Sequence, residues 1–226
     1  MSTISVNKKG SLVGTSVTTQ ASARDQASAT SISDSGDVNG AIQYFASPGR
    51  GGGTYRYIRA FFQFDSSSIT GTVSAATLNV AGTGTAGAHD KHVIVIASDA
   101  FGGTDDDLAQ SDFNNVDFST AYSSEFTSWD TGGNNAITLN AAARSAIQSN
   151  NSFICALVNH DSDYQDTDIF SGGSGSESTG INWDGTCTLV VTVASGYGNK
   201  VNSVASANIG KVDGVATANI EKIIGV

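Results

Sequence analysis

The alternation of apolar and polar residues is clearest in TYRYIRAFFQFD, residues 54–65. Successive side chains of a β-strand point to opposite faces, so this segment sorts into two sets. The first set is Arg56, Ile58, Ala60, Phe62 and Phe64, and the second is Tyr55, Tyr57, Arg59, Phe61 and Gln63. Because the first set is nearly all apolar, we expect its face to look into a hydrophobic core.

Several further runs have the length and composition of strands. They are SLVGTSVTT, AIQYFA, AATLNVAG, KHVIVIASDAF, FICALVNHD and GTCTLVVTVAS. The VIVIA run has apolar residues at consecutive positions, as in a strand buried on both faces. Roughly eight strands at intervals of about ten residues, joined by polar turns, predict an all-β fold, an antiparallel β-sandwich.

One helical pattern stands out, in LNAAARSAIQSNN. Asn140 is a preferred residue type for a helix N-cap. Ala143 and Ile147 are four positions apart, which places them on one face of a helix. The pattern predicts one short helix over residues 141–148.

The composition agrees with short strands and polar turns. Hydrophobic residues make up 39% of the 226 residues and charged residues only 14%, so Ser, Thr, Asn and 26 Gly fill the difference. These residue types have low helix propensity. Cys155 and Cys187 lie in apolar runs, and we expect buried thiols, with a disulfide between neighbouring strands as the alternative.

The net charge of −10 bears on the class of partner. An acidic surface repels phosphate backbones, so we expect no nucleic-acid binding. The sequence has no apolar run long enough for a signal peptide or a membrane span. We therefore expect no membrane contact and a protein that is made in soluble form in the cytoplasm of the cell that produces it.

The end of the chain repeats itself. VNSVASANIGK, residues 201–211, is followed by VDGVATANIEK, residues 212–222, and the two are identical at seven of eleven positions. Residues 196–226 carry three Lys against one Asp and one Glu, a net charge of +1. Residues 1–195 therefore carry −11, and the two parts add up to the net charge of −10. We expect a sandwich domain over residues 1–195 and an assembly arm over residues 196–226.

Two conformations fit the eleven-residue period of the arm. A helix would align one apolar stripe, whereas extended strands would alternate around a type I′ turn at Asp213–Gly214. The extended form is favoured because Gly, Asn, Ser and Thr are costly in a helix. The apolar positions of the arm are Val201, Val204, Ala205, Ile209, Val212, Val215, Ala216, Ile220 and Ile223. So short an apolar arm needs a partner chain, and we expect a homo-oligomer, with a trimer favoured, or docking on another protein.

Candidate chemistry is sparse. GTGTAG, residues 82–87, has dinucleotide-loop spacing but precedes a strand pattern instead of the required helix, so we expect a hairpin loop. His89 and His92, three apart at a strand start, would point to opposite faces, so we expect no zinc site there. The run HDSDYQDTD offers Asp161, Asp163 and Asp166 as candidate calcium ligands, with a solvated acidic loop as the alternative.

Three aromatic residues lie in or near predicted loops, Trp129, Tyr164 and Trp183. Flat aromatic faces stack on sugar rings, so they are candidates for a glycan-binding platform. The alternative is that each ring closes one end of the sandwich core.

The segment YRYIRAFFQFDSSSITGTVSAATLNVAG, the later FICALVNHDSDYQDTD and the closing TCTLVVTV resemble DNRLRE-type jelly-roll domains over about residues 15–194. These domains are similar to carbohydrate-binding jelly rolls. The terminal repeat resembles the C-termini of phage tail and virion proteins, especially marine ones. The resemblance implies a jelly-roll-type sandwich in a phage structural protein and brings no catalytic residue into this sequence.

These features together predict a non-enzymatic virion structural protein, a capsid-decoration or tail protein. Its sandwich would be displayed outward, and its arm would dock on other virion proteins or on sister subunits. The alternative is an adhesin module for host attachment that binds a host-surface glycan, with calcium as its one candidate cofactor.

Overall fold

The structure is a computed structural model that describes residues 1–47, 53–87, 92–103, 107–170 and 173–194, and the backbone of residues 211–212 and 215–216. The described parts of the first 194 residues contain twelve strands that form an antiparallel β-sandwich, which confirms the predicted fold class. The strands are β1 (Ser2–Ser5), β2 (Lys8–Gly14), β3 (Ala29–Ser33), β4 (Asp37–Ser47), β5 (Thr54–Asp65), β6 (Val73–Ala86), β7 (Val93–Ser98), β8 (Val116–Ala121), β9 (Asn134–Thr138), β10 (Ser152–Asn159), β11 (Gly175–Asn182) and β12 (Cys187–Val193).

The strands form two layers. The smaller layer has the order β1, β12, β6, β9. The larger layer has the order β11, β4, β5, β10, β7, β8, and β2 pairs with both β5 and β3. Strand β6 belongs to both layers, because residues 73–81 pair with β12 and β9 while residues 82–86 pair with β11.

Strand β6 leaves the smaller layer at Gly82. A Cβ at this position would lie 1.9 Å from the carbonyl oxygen of Asp130, so only glycine fits. The Gly82 N–H donates to Gly133 O at 2.8 Å, which keeps the backbones together. The GTGTAG segment is therefore strand through Ala86, and the predicted hairpin loop is wrong.

A first hydrophobic core fills the space between the layers. It takes Phe62 from β5, Leu78 from β6, Leu157 from β10 and Leu189 from β12, and it also contains Trp183. The apolar face predicted for the aromatic strand is in this core, since Ala60, Phe62 and Phe64 all belong to it.

A second core covers the outer face of the larger layer. Tyr57 and Phe61 of β5, Ile94 and Ile96 of β7, and Ile154, Ala156 and Val158 of β10 belong to it. The side chains of Ala23, Phe101, Phe113 and Phe170 pack over these residues from short helices and loops. Strands β5, β7 and β10 are thus buried on both faces, as predicted for the VIVIA run but not for the aromatic strand.

The predicted helix is confirmed as α2 (Ala141–Ser149). The side chain of Asn140 accepts a hydrogen bond from Ala143 N at 3.1 Å, and Ala143 and Ile147 are buried. A second helix, α1 (Gln20–Arg24), was not predicted and is capped by Thr19, whose side chain accepts from Ser22 N at 3.1 Å. Among the described residues, no helix is long and apolar enough to cross a bilayer.

Both cysteines are buried and free, so the predicted thiols are confirmed and the alternative disulfide is absent. Burial raises the pKa of the Cys187 thiol to about 12 and raises that of Cys155 as well. Both side chains therefore stay protonated and pack as small apolar groups in the first core.

Four residues of the arm are described. Strand β13 (Lys211–Val212) pairs antiparallel with β14 (Val215–Ala216), with Val212 opposite Val215. The backbone is extended at these four residues, as in the favoured interpretation of the repeat. The other predicted arm positions, Val201, Val204, Ala205, Ile209, Ile220 and Ile223, lie outside the described residues.

Two adjacent substitutions on β5 test the burial of both faces. Phe61 and Phe62 are each fully buried, in different cores. We expect Phe61→Ala and Phe62→Ala each to lower the free energy of unfolding by ~3–5 kcal/mol in urea denaturation, because each leaves a cavity. A cost below about 1 kcal/mol for Phe61→Ala would mean that the second core is not formed.

Candidate functional site

The turn after β10 carries most of the predicted acidic site. His160–Tyr164 form one turn of π-helix, in which the Gln165 N–H donates to the His160 carbonyl at 2.9 Å. Asn159 fixes its start, since its side-chain oxygen accepts from Ser162 N at 2.8 Å and from the Ser162 hydroxyl at 2.7 Å. Residues two positions apart on such a turn do not face the same way, so Asp161 and Asp163 point apart.

Asp163 points inward and forms a buried ion pair with Arg59 of β5. Arg59 Nε donates to Asp163 Oδ2 at 2.7 Å, and Nη2 donates to Oδ1 at 2.8 Å. The Arg59 side chain is fully buried and that of Asp163 is 1% exposed. Two parallel charge-assisted hydrogen bonds are stronger than a single neutral one and also fix the orientation of both side chains.

The guanidinium of Arg59 also satisfies two backbone carbonyls. Nη1 donates to Phe113 O at 2.8 Å, and Nη2 donates to Arg24 O at 2.7 Å. Its Cζ lies 4.4 Å from the centre of the Phe113 ring, a cation–π distance. One buried side chain thus joins β5, the π-helical turn, the end of α1 and the segment around Phe113.

Tyr57 adds a further bond between β5 and the turn. Its hydroxyl donates to the Ser162 carbonyl at 3.0 Å. Burial raises the pKa of Tyr57, and the nearby Asp163 carboxylate raises it further, so the hydroxyl keeps its proton.

The predicted calcium site on Asp161, Asp163 and Asp166 is not formed by these residues. Asp163 is occupied by Arg59, and Arg24 Nε lies 3.8 Å from Asp166 Oδ1. Asp166 is exposed and has a φ of 53°, a conformation that Asp tolerates better than most residues. Asp163 is therefore paired with an arginine, Asp166 lies exposed beside a second arginine, and Asp161 points elsewhere.

Asp161 instead lies with His92, Glu125 and His160, and we call these four side chains the rim cluster. His160 Nδ1 lies 2.7 Å from Asp161 Oδ1 and 3.3 Å from Glu125 Oε1. His92 Nδ1 contacts Glu125 Oε1 and lies 3.9 Å from Asp161 Oδ2. Both rings are largely buried, whereas each carboxylate side chain is about one-third exposed (35% and 34%).

Backbone hydrogen bonds bring the rim cluster together from three parts of the chain. The His160 N–H donates to His92 O at 2.9 Å, because the end of antiparallel β10 lies beside the start of β7. Val93 and Phe126 exchange two bonds, Val93 N to Phe126 O at 3.1 Å and the reverse at 2.8 Å. This antiparallel bridge places the segment that carries Glu125 beside the start of β7, where Glu125 Oε1 reaches His92 Nδ1.

Sequence reasoning missed this cluster because it considered His92 only with His89, which lies outside the described residues. A usable signal was present: His92 precedes one buried strand and His160 follows another. Antiparallel pairing of those two strands would have placed the histidines together. Glu125 lies in an irregular segment, and no pattern pointed to it.

The three candidate aromatic residues do not form one platform. Trp183 is fully buried, with its ring 5.5 Å from that of Phe62, so its proposed role in glycan binding is wrong and it is a core residue. Trp129 packs against the first core and donates from Nε1 to Gly180 O at 3.2 Å. Tyr164 packs against the second core and stacks on His160.

A polar groove of about 660 Å³ lies beside the start of β10. The residues that line it include Asp99, Tyr122, Asn150, Asn151 and Phe153. Asp99, Asn150 and Asn151 are exposed, so their side chains can reach a polar ligand.

Comparison with known proteins gave no match, either to a family model or to a curated protein. The resemblance to DNRLRE-type domains therefore stays a prediction.

The Arg59–Asp163 pair can be tested with two neighbouring carboxylates. We expect Asp163→Asn to lower the free energy of unfolding by ~3–5 kcal/mol, because it leaves the Arg59 charge buried without its partner. Asp166→Asn is the matched control, since Asp166 is exposed and Asn also tolerates positive φ. Its effect in urea denaturation should stay within about 0.5 kcal/mol. Equal effects of the two substitutions would contradict the assigned role of Asp163.

Proposed function

We propose that this protein is a non-enzymatic structural component of a bacteriophage particle. Its sandwich is displayed outward, and its C-terminal arm docks it on other virion proteins or on sister subunits. The observation that carries the proposal is the terminal repeat, which is identical at seven of eleven positions and follows the last strand of the sandwich.

The arm needs a partner on physical grounds. Its repeated Val, Ala and Ile positions would be an aggregation hazard if they were left in water. A two-stranded pairing such as that of β13 with β14 is marginally stable at best by itself. Burial on another chain supplies the missing apolar contact.

Two properties of the sandwich support a role in display. The central strands β5, β7 and β10 are covered on both faces, which favours a rigid body. The charge of −11 over residues 1–195 favours solubility at a particle surface and disfavours contact with the packaged nucleic acid.

The role of the arm in assembly is tested by measuring the molar mass of the protein in solution. We expect the full chain to be a homo-oligomer, a trimer in first place, and a chain that ends at Ser195 to be a folded monomer by light scattering. The matched control keeps the length but carries Val204→Ser, Ile209→Ser, Val215→Ser and Ile220→Ser. It should also be monomeric, because four of the nine apolar positions of the arm are then polar.

A truncated chain that keeps the full oligomer would place the contact in the sandwich and contradict the role of the arm. A second test measures whether purified virions contain the protein. Washed particles assembled from the truncated gene should lack the protein, whereas particles from the intact gene should contain it. Washed virions from the intact gene that lack the protein would contradict a structural role.

The polar groove favours a second candidate function, glycan binding. Exposed amide and carboxylate groups beside an aromatic ring are the groups that bind sugar hydroxyls. In that case, Asp99→Ala and Asn151→Ala should each weaken binding on a glycan array by at least ~10-fold without lowering the melting temperature. Asp184→Ala, which removes an exposed carboxylate from the turn between β11 and β12, is the control. No glycan bound by the unmodified chain would exclude this function.

A further inference from the structure

The rim cluster combines two imidazoles and two carboxylates from three separate parts of the chain. We propose that it binds one divalent transition-metal ion, zinc in first place, through one nitrogen of each histidine and one oxygen of each carboxylate. The site is independent of the proposed function and holds whatever the arm docks on.

The spacing of the candidate ligand atoms suits a small ion. A tetrahedral zinc ion ~2.0–2.1 Å from its ligands holds two of them about 3.3 Å apart. His160 Nδ1 and Glu125 Oε1 are 3.3 Å apart. Ligand atoms of His92, Glu125 and Asp161 all lie within 4.8 Å of one another, so small side-chain rotations bring them to one ion.

The types of ligand favour zinc over calcium. Calcium takes about six to eight oxygen ligands, and this cluster offers two carboxylates. Imidazole nitrogen suits zinc and other late transition metals, and a carboxylate is an accepted zinc ligand. With both imidazoles in their deprotonated ligand form and both carboxylates ionised, the cluster carries two negative charges, which one divalent ion balances.

The cluster is held in place before any ion binds. The backbone bond from His160 to His92 fixes the two histidines, and the bridge between Val93 and Phe126 fixes Glu125 beside them. The Arg59–Asp163 pair anchors the turn that presents Asp161. A site built on such fixed segments loses little conformational entropy on binding.

A hydrogen-bond partner for one of the proposed ligands, His160, is also in place. His160 Nε2 lies 3.4 Å from Gln165 Nε2. A metal-bound histidine donates its other ring N–H to a nearby acceptor, and the Gln165 amide can turn its oxygen to accept that proton. With four protein ligands, the ion would have a structural role, because it would tie together the start of β7, the segment around Glu125 and the π-helical turn.

The test uses the full chain without a polyhistidine tag, freed of metal by chelator and dialysis. Titration calorimetry with zinc chloride should show one ion per chain, and cobalt(II) should give the visible absorption band of a four-coordinate site. We expect His92→Ala, His160→Ala and Glu125→Gln each to weaken zinc binding by at least ~10-fold. Glu125→Gln keeps the size of an exposed side chain, so it stays informative if a histidine variant fails to fold.

Asp166→Asn is the matched control, because it removes an exposed carboxylate from the same acidic run without touching the cluster. It should bind zinc as the unmodified chain does, and zinc should raise the melting temperature of both. Three results would overturn the proposal: no zinc bound by the unmodified chain, unchanged binding in His92→Ala, His160→Ala and Glu125→Gln, or an equal loss in Asp166→Asn.

Discussion

The buried ion pair between Arg59 and Asp163 is the interaction on which the outer half of the sandwich depends. An arginine in the middle of a central strand is costly to bury unless every donor that faces the protein has a partner. Here the carboxylate takes two bonds, and the carbonyls of Phe113 and Arg24 take two more. The pair therefore positions the segments that cover the second core.

The same pair decides what the acidic run presents to solvent. Asp163 is drawn inward, so Asp161, two positions earlier on the π-helical turn, faces the rim beside the histidines. One sequence feature thus has two roles, an internal anchor and a surface cluster. The arm is distinct from both, because its two short strands form a sheet of their own.

The sequence was sufficient where a local pattern determines the structure. The sandwich, the N-cap at Asn140 and the buried cysteines all follow from residue type and spacing. The second core could not be predicted in this way, because Arg59 and Gln63 read as polar surface positions until their partners are known. The rim cluster could not be predicted either, because it depends on the pairing of strands that are distant in sequence. The predicted calcium site was not formed because carboxylates that are close in sequence do not have to point toward the same ion.

The most direct test of this account is the anomalous X-ray scattering of zinc in crystals of the full chain. The account predicts one strong peak per chain, bonded to His92, Glu125, His160 and Asp161, with Asp163 still paired to Arg59. A peak shared by Asp161, Asp163 and Asp166, with Asp163 drawn away from Arg59, would contradict it.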